Sequence, residues 1–323
     1  MSLIERAVEL LEPLDRPALK PAQPASRPSS IERVGKDFSR TGREEPRDLA
    51  AQLEANDLAE ELKSSSQAER IIGKSSEAPA RSSELLKTDR AHLRRQGIVT
   101  PDGGRTLNSE IFRRIKRQIL ANVAKPKPGF PSNLVLVTSA LPGEGKTFCA
   151  VSLAISMALE MDRTVLLVDA DVANPSVPKA LGVRAERGLL DVLLDRRIDL
   201  GEVLCKTDIG KLTILPAGTA HPHATELLAS DATRSLLKEM AERYHDRIII
   251  FDAPPLLAAS EAAVLASQMG QVLIVVEAGR TSEAAIKAAI GRVDPANVAG
   301  MLLNKGEDEG LRYHDGEYGK FAK

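Results

Sequence analysis

One short run, Ala140-Leu141-Pro142-Gly143-Glu144-Gly145-Lys146-Thr147, carries the most specific chemistry in the chain. Glycines in such a loop let backbone N–H groups turn toward phosphate oxygens at the N-terminus of a following helix. A lysine at the Lys146 position reaches the β- and γ-phosphates, and the Thr147 hydroxyl ligates Mg²⁺. Gly143, Glu144, Gly145, Lys146, Thr147 and Phe148 are therefore candidate nucleotide contacts. The strict pattern has Gly at the first position, where this chain has Ala140. Two acidic strand ends add to the set. Val165-Leu166-Leu167-Val168-Asp169-Ala170-Asp171 closes with two carboxylates, and Ile248-Ile249-Ile250-Phe251-Asp252 with one. Hard carboxylate oxygens suit Mg²⁺, so the Thr147 hydroxyl and these strand-end carboxylates are candidates to hold it. Together these residues predict a site for ATP and Mg²⁺.

Such residues need a sheet to hold them. Short β-branched runs at Leu134–Thr138, Thr164–Val168, Leu212–Leu215, Arg247–Phe251, Val272–Val276 and Val298–Leu303 read as strands. Helical stretches at 146–160, 225–243 and 281–292 lie between them. Continuous apolar strands alternating with helices predict an α/β fold, a doubly wound and mostly parallel sheet covered on both faces. Ligands of such a sheet bind at the carboxyl ends of its strands, which is where the aspartates fall. The fold is of the P-loop NTPase type, and the expected domain spans 105–308. Near its start, residues 109–120 read as a helix with cations along one side.

The flanks read differently. Residues 1–15 place Leu3, Ile4, Ala7, Val8, Leu10, Leu11 and Leu14 at helical spacing, which predicts a short amphipathic helix. Residues 16–104 are rich in Pro, Ser and charge, and predict a flexible, largely disordered linker. The last residues, 309–323, predict a mobile tail. Of the three tyrosines, Tyr244 lies between a helix and a strand and reads as a packing residue, while Tyr313 and Tyr318 fall in the polar tail. A formal net charge of −1 gives no argument for nucleic acid as a partner. Cys149 and Cys205 are well separated and fit a reducing cytosol better than a disulfide framework. No stretch approaches the roughly 18 apolar residues of a membrane span, so a cytoplasmic protein is expected.

The loop with its two acidic strand ends resembles the Walker A, A′ and B set of the bacterial tyrosine kinases. The helix bearing Glu110, Arg113 and Lys116 resembles that family's Glu-x-x-Arg-x-x-Arg oligomerisation motif, with Lys116 in place of the last Arg. Leu215-Pro216-Ala217-Gly218 with Glu226-Leu227-Leu228 is similar too, as is Gly300-Met301-Leu302-Leu303-Asn304-Lys305, in which Asn304 would face the adenine. The Ser-Leu-Ile-Glu-Arg-Ala start resembles the subgroup associated with exosortase and exopolysaccharide loci. Departures are Ala173 and Asn174 in the region after Asp171 where the family commonly has an Arg, and His223 in place of an Asn. The partition and septum-site ATPases share the fold and form the alternative reading, a nucleotide-dependent interaction switch. Their signature lysine would stand at Leu141.

The resemblance implies an ATP- and Mg²⁺-dependent tyrosine autokinase. Its phosphoacceptors would be Tyr313 and Tyr318, modified in trans within a homo-oligomer such as a ring, through Glu110, Arg113 and Lys116. The resemblance makes Lys146, Asp169 and Asp171 the catalytic groups and Thr147, Asp171 and Asp252 the metal ligands. A phenol ionises near ~10, so a nearby carboxylate, Asp169 or Asp171, would assist its attack. The resemblance also implies a separate membrane-bound activator of the polysaccharide co-polymerase type. That partner would hold the protein at the inner face of the membrane and link it to exopolysaccharide biosynthesis or export.

Overall fold

A computed structural model describes residues 85–125, 129–160 and 162–306. The helix expected at 1–15, most of the linker, and the tail with Tyr313 and Tyr318 lie outside the described residues.

The strands are β1 (Leu134–Ser139), β2 (Thr164–Asp169), β3 (Cys205–Lys206), β4 (Leu212–Leu215), β5 (Arg247–Asp252), β6 (Gln271–Glu277) and β7 (Val298–Asn304). They form one sheet in the order β3-β4-β2-β5-β1-β6-β7. Every pairing is parallel except that of β3 with β4. The helices are α1 (Arg90–Arg95), α2 (Leu107–Val123), α3 (Lys146–Ala158), α4 (Val177–Leu181), α5 (Leu189–Leu194), α6 (Leu200–Val203), α7 (Ala224–Leu228), α8 (Asp231–Arg243), α9 (Ser260–Ala266) and α10 (Glu283–Ile290).

Side-chain alternation along each strand feeds two cores, one on each face of the sheet. In β1, Leu134 and Leu136 join the core that includes Leu190, Leu237 and Leu265 from α5, α8 and α9. Val135 and Val137 join the opposite core with Phe112, Leu153 and Leu181 from α2, α3 and α4. Buried on both sides, β1 has no place for a polar side chain until Thr138 and Ser139, just where the phosphate loop begins.

The six expected strands are present. The two-residue β3 is an addition whose length carries no periodic signal. The helix expected over 225–243 is two, α7 and α8, because Ser230 leaves helical geometry to cap α8 with its hydroxyl at Thr233 N.

The linker expectation needs correction over 85–104. Residues 85–99 strap onto the domain: Leu93 is 0% exposed, and Ile98 and Val99 are buried beside it. Leu86 bridges Thr207 in parallel, and Asp89 caps α1 through His92 N. A few apolar residues in a polar stretch sufficed because the domain supplies the rest of the core. Among the described residues, no helix is long and apolar enough to cross a membrane.

Candidate active site

The phosphate loop leaves β1 beside β5 and enters α3. Gly143 and Gly145 hold φ of 86° and 95°, a left-handed conformation that costs a side-chain-bearing residue energy. At Gly145 space matters as well, since a Cβ would stand 2.1 Å from Asn304 Nδ2. Ala140 is fully buried and outside the left-handed region, so its position does not demand glycine. The segment after β5 packs beneath it, with Leu257 N donating to the Ala140 carbonyl at 3.2 Å.

Parallel register sets the carboxylates side by side. Asp169 at the end of β2 pairs in register with Asp252 at the end of β5. Lys146, in the first turn of α3, puts Nζ 2.6 Å from Asp171 Oδ2 and 3.8 Å from Asp252 Oδ1. The Thr147 hydroxyl donates to Asp252 Oδ2 at 2.6 Å and lies 3.0 Å from the Ser176 hydroxyl. Asp169 Oδ2 accepts from Ser176 N and Val177 N, both at 2.9 Å, at the start of α4. Lys146, Thr147, Asp169, Asp171 and Asp252 are thus one constellation.

The charge balance of that constellation is unusual. Asp169 and Asp252 are 0% exposed, and Oδ1 of each has no hydrogen-bond partner. Burial, and then the neighbouring Asp252 charge, pushes Asp169 up to about 7. Burial likewise raises Asp252 to about 6, against the pull of Lys146. Burial alone would lower Lys146, but the charge of Asp252 and the bond to Asp171 hold it raised. Three carboxylates share one cation, and a divalent cation would supply the missing charge at oxygens that now lack a partner. Among the described residues no three acidic, histidine or cysteine groups converge into a metal cage. Thr147 and a carboxylate, with water and phosphate completing the shell, match the coordination habit of Mg²⁺.

Other expected contacts are placed differently. Phe148 turns away from the loop and meets Phe112 edge-on, with ring centroids 6.0 Å apart. Asn304 Nδ2 donates to the Glu144 carbonyl at 2.8 Å, so its side chain supports the loop from behind. Glu144 is buried, and its carboxylate is taken up by the Leu141 amide and the Thr281 hydroxyl. On α2, Glu110 and Arg113 pair at 2.7 Å on the exposed side. Lys116 belongs elsewhere: it is 7% exposed, shares its face with Phe112 and Ile119, and its ammonium meets the Ser156 carbonyl and the Glu160 carboxylate. The four-residue step from Phe112 to Lys116 puts both on the inner face of α2, which the expected cationic face overlooked.

Tyr244 is buried, with the Arg247 guanidinium 4.6 Å from its ring centroid, as a packing residue should be. Sequence reasoning missed Ser176, Thr281 and Lys305. Ser176 had a faint signal, since Pro178 two residues on marks a helix start. Thr281 had none.

Comparison with known proteins now has a geometry to rest on. A family described as AAA domain matches residues 134–297. The chain is 32% identical over 205 residues to the tyrosine-protein kinase YwqD of Bacillus subtilis, covering 63% of this chain and 83% of that protein. It is 30% identical over 197 residues to the tyrosine-protein kinase CpsD of Streptococcus agalactiae, covering 60% and 84%. Among solved structures, the kinase domain of the Escherichia coli tyrosine kinase ETK matches with a TM-score of 0.55 and 26% identity, over 71% of this chain and 93% of that one.

Proposed function

The chain belongs to the bacterial tyrosine-protein kinases, and we propose that it transfers the γ-phosphoryl group of ATP to Tyr313 and Tyr318 of its own tail, in trans within a homo-oligomer. The observation that carries this reading is the single constellation of Lys146, Thr147, Asp169, Asp171 and Asp252 at the mouth of a phosphate loop. Exposed Leu141 stands where the partition-type ATPases have their signature lysine, so nothing favours that alternative.

The loop amides at Gly143 and Gly145 and the N-terminus of α3 bind the phosphates. Lys146, held in reserve by Asp171, turns to the β- and γ-oxygens, and its charge offsets what develops there in the transition state. Thr147, Asp171 and Asp252 would hold Mg²⁺, whose charge would offset that of the phosphates. Asp169 accepts the tyrosine proton at its unpartnered Oδ1. Burial raises its proton affinity above that of an ordinary carboxylate, which suits a general base working near neutrality. Asp171 is engaged by Lys146 and is the weaker choice for that role.

Two further expectations extend this reading. Self-association would use the outer face of α2, through Glu110 and Arg113, with Lys116 acting within its own chain. A separate membrane-bound co-polymerase-type activator would place the kinase at the inner face of the membrane in exopolysaccharide production. Intact-mass analysis after incubation with ATP and Mg²⁺, with tail peptides mapped, tests the core of the proposal. Wild type should gain phosphate on Tyr313 or Tyr318, and the double Tyr→Phe variant should gain none. Phosphate found on Tyr244 instead would refute the acceptor assignment. In sedimentation velocity, Arg113→Ala should assemble less than wild type; an unchanged distribution would remove α2 from the interface.

A further inference from the structure

Glu144 sits in the middle of the phosphate loop, yet its carboxylate faces away from the phosphate cradle. Oε2 accepts from the Leu141 amide at 2.7 Å, which closes the loop on itself. Oε1 accepts from the Thr281 hydroxyl, and the Glu277 amide lies 3.5 Å away. Two more bonds reach the loop's outer rim. Asn304 Nδ2 donates to the Glu144 carbonyl at 2.8 Å, and Lys305 Nζ donates to the Gly143 carbonyl at 2.7 Å. Lys305 also meets Glu277 Oε2 at 3.2 Å. The chain just beyond β6 and the end of β7 therefore grip the loop from outside, and Glu144 is the side chain that joins the loop's own closure to that grip.

A loop that binds triphosphate gains from being rigid before the ligand arrives, because ordering it at the moment of binding subtracts from affinity. A carboxylate aimed inward would repel the phosphates, whereas this one is spent on a backbone amide and a hydroxyl. We propose that Glu144 is a positioning residue: its carboxylate ties Leu141 to Thr281 and so preforms the loop in its phosphate-binding shape. The proposal rests on the ATP-dependent reading above and adds a role for a side chain whose carboxylate is bonded within the protein.

The experiment is a fluorescent-ATP titration with Mg²⁺ on the full chain, followed by steady-state kinetics. Glu144→Ala should weaken binding by about tenfold and raise KM in proportion while kcat at saturation falls much less, in line with the loss of hydrogen bonds to a charged acceptor. Glu144→Gln should recover most of the affinity, since its amide oxygen still accepts from Leu141 and its NH₂ can donate to the Thr281 oxygen. Thr281→Val should weaken binding severalfold and add little in the Glu144→Ala background, because both remove one tie. Natively folded Glu144→Ala that binds within twofold of wild type would overturn the proposal. If Glu144→Ala does not fold, Thr281→Val carries the test, and unchanged affinity there overturns it. Wild type that bound no nucleotide would instead overturn the kinase reading, and the brace with it.

Discussion

Asp208 and Asp169 are both hydrogen-bonded carboxylates, yet they serve opposite ends. Asp208 takes bonds from Thr88 N at 2.9 Å and the Thr88 hydroxyl at 2.7 Å, and it pairs with Arg90 at 3.2 Å where the strap meets the domain. Burial alone would raise it, but the Thr88 bonds and the Arg90 charge outweigh that and hold it below its ordinary range. Asp169 takes its bonds from Ser176 N and Val177 N, keeps Oδ1 bare, and is pushed up to about 7. One aspartate is partnered and partly wet, as a fastening should be. The other is dry and incompletely partnered, which is tolerable only where a ligand or a proton will complete it.

The sharpest way to break this contrast is to remove the cation that the site carboxylates share. Lys146→Met should reduce tyrosine phosphorylation by about 10³-fold or more, since both phosphate contact and transition-state charge are lost. Circular dichroism should stay near wild type. Full phosphate incorporation in that variant would end the kinase reading of this cluster.

Asp169→Asn is the next step down. The Asn carbonyl can still accept from Ser176 N and Val177 N, so geometry survives while basicity does not. Phosphoryl transfer should fall about 10²-fold, the low end for general acid–base groups. The wild-type kcat/KM profile should rise with pH as Asp169 ionises, and the variant should lose that limb. Stability carries the opposite sign. Because the folded-state values of Asp169 and Asp252 lie above the ordinary 3.8, the native state holds more protons than the unfolded chain over that window. Their contribution is fully present below about pH 4 and is lost as pH rises through about 6 and 7. Metal-free protein should therefore melt lower at pH 8 than at pH 5, and Asp169→Asn should flatten part of that slope. A melting temperature that rose over this interval would contradict the pKa assignment.

How much of this was legible beforehand divides along the same line. The site carboxylates announced themselves because each ends a continuous apolar strand, and a charge beside such a run has a purpose to explain. The six main strands followed from the same runs. The fastening did not announce itself. Leu93, Ile98 and Val99 are scattered through a polar stretch, and only the partner surface from α3 and α4 makes them core. Thr281 was invisible for a related reason: its role is set by Glu144, which stands 137 positions away in sequence. Lys116 misled in the other direction. It lies among Arg113, Arg114 and Arg117, and composition there outweighed the helical spacing that places it inward.

The smallest expected effect belongs to the fastening itself, and it sharpens the comparison best. Asp208→Asn removes one charge from a pair whose side chains are 28% and 29% exposed, so solvent already screens much of the attraction to Arg90. The Asn carbonyl oxygen can still accept from Thr88, which preserves part of the tie between the strap and the turn after β3. The loss should be about 1 kcal/mol or less. That corresponds to a melting shift of roughly 2–4 °C at neutral pH for a domain of this size. The pH dependence should be the mirror image of the site's. A carboxylate held low contributes stability above its ordinary range and loses it as pH falls through its folded value, so wild type and Asp208→Asn should converge in acid. Nucleotide affinity and kcat should be unchanged, because Asp208 touches neither the loop nor the carboxylate cluster. A drop in kcat without a drop in melting temperature would mean that the strap bears on catalysis. The route is present: Asp89 N, beside Thr88, donates to the Leu181 carbonyl at the end of α4, and the start of α4 holds Asp169.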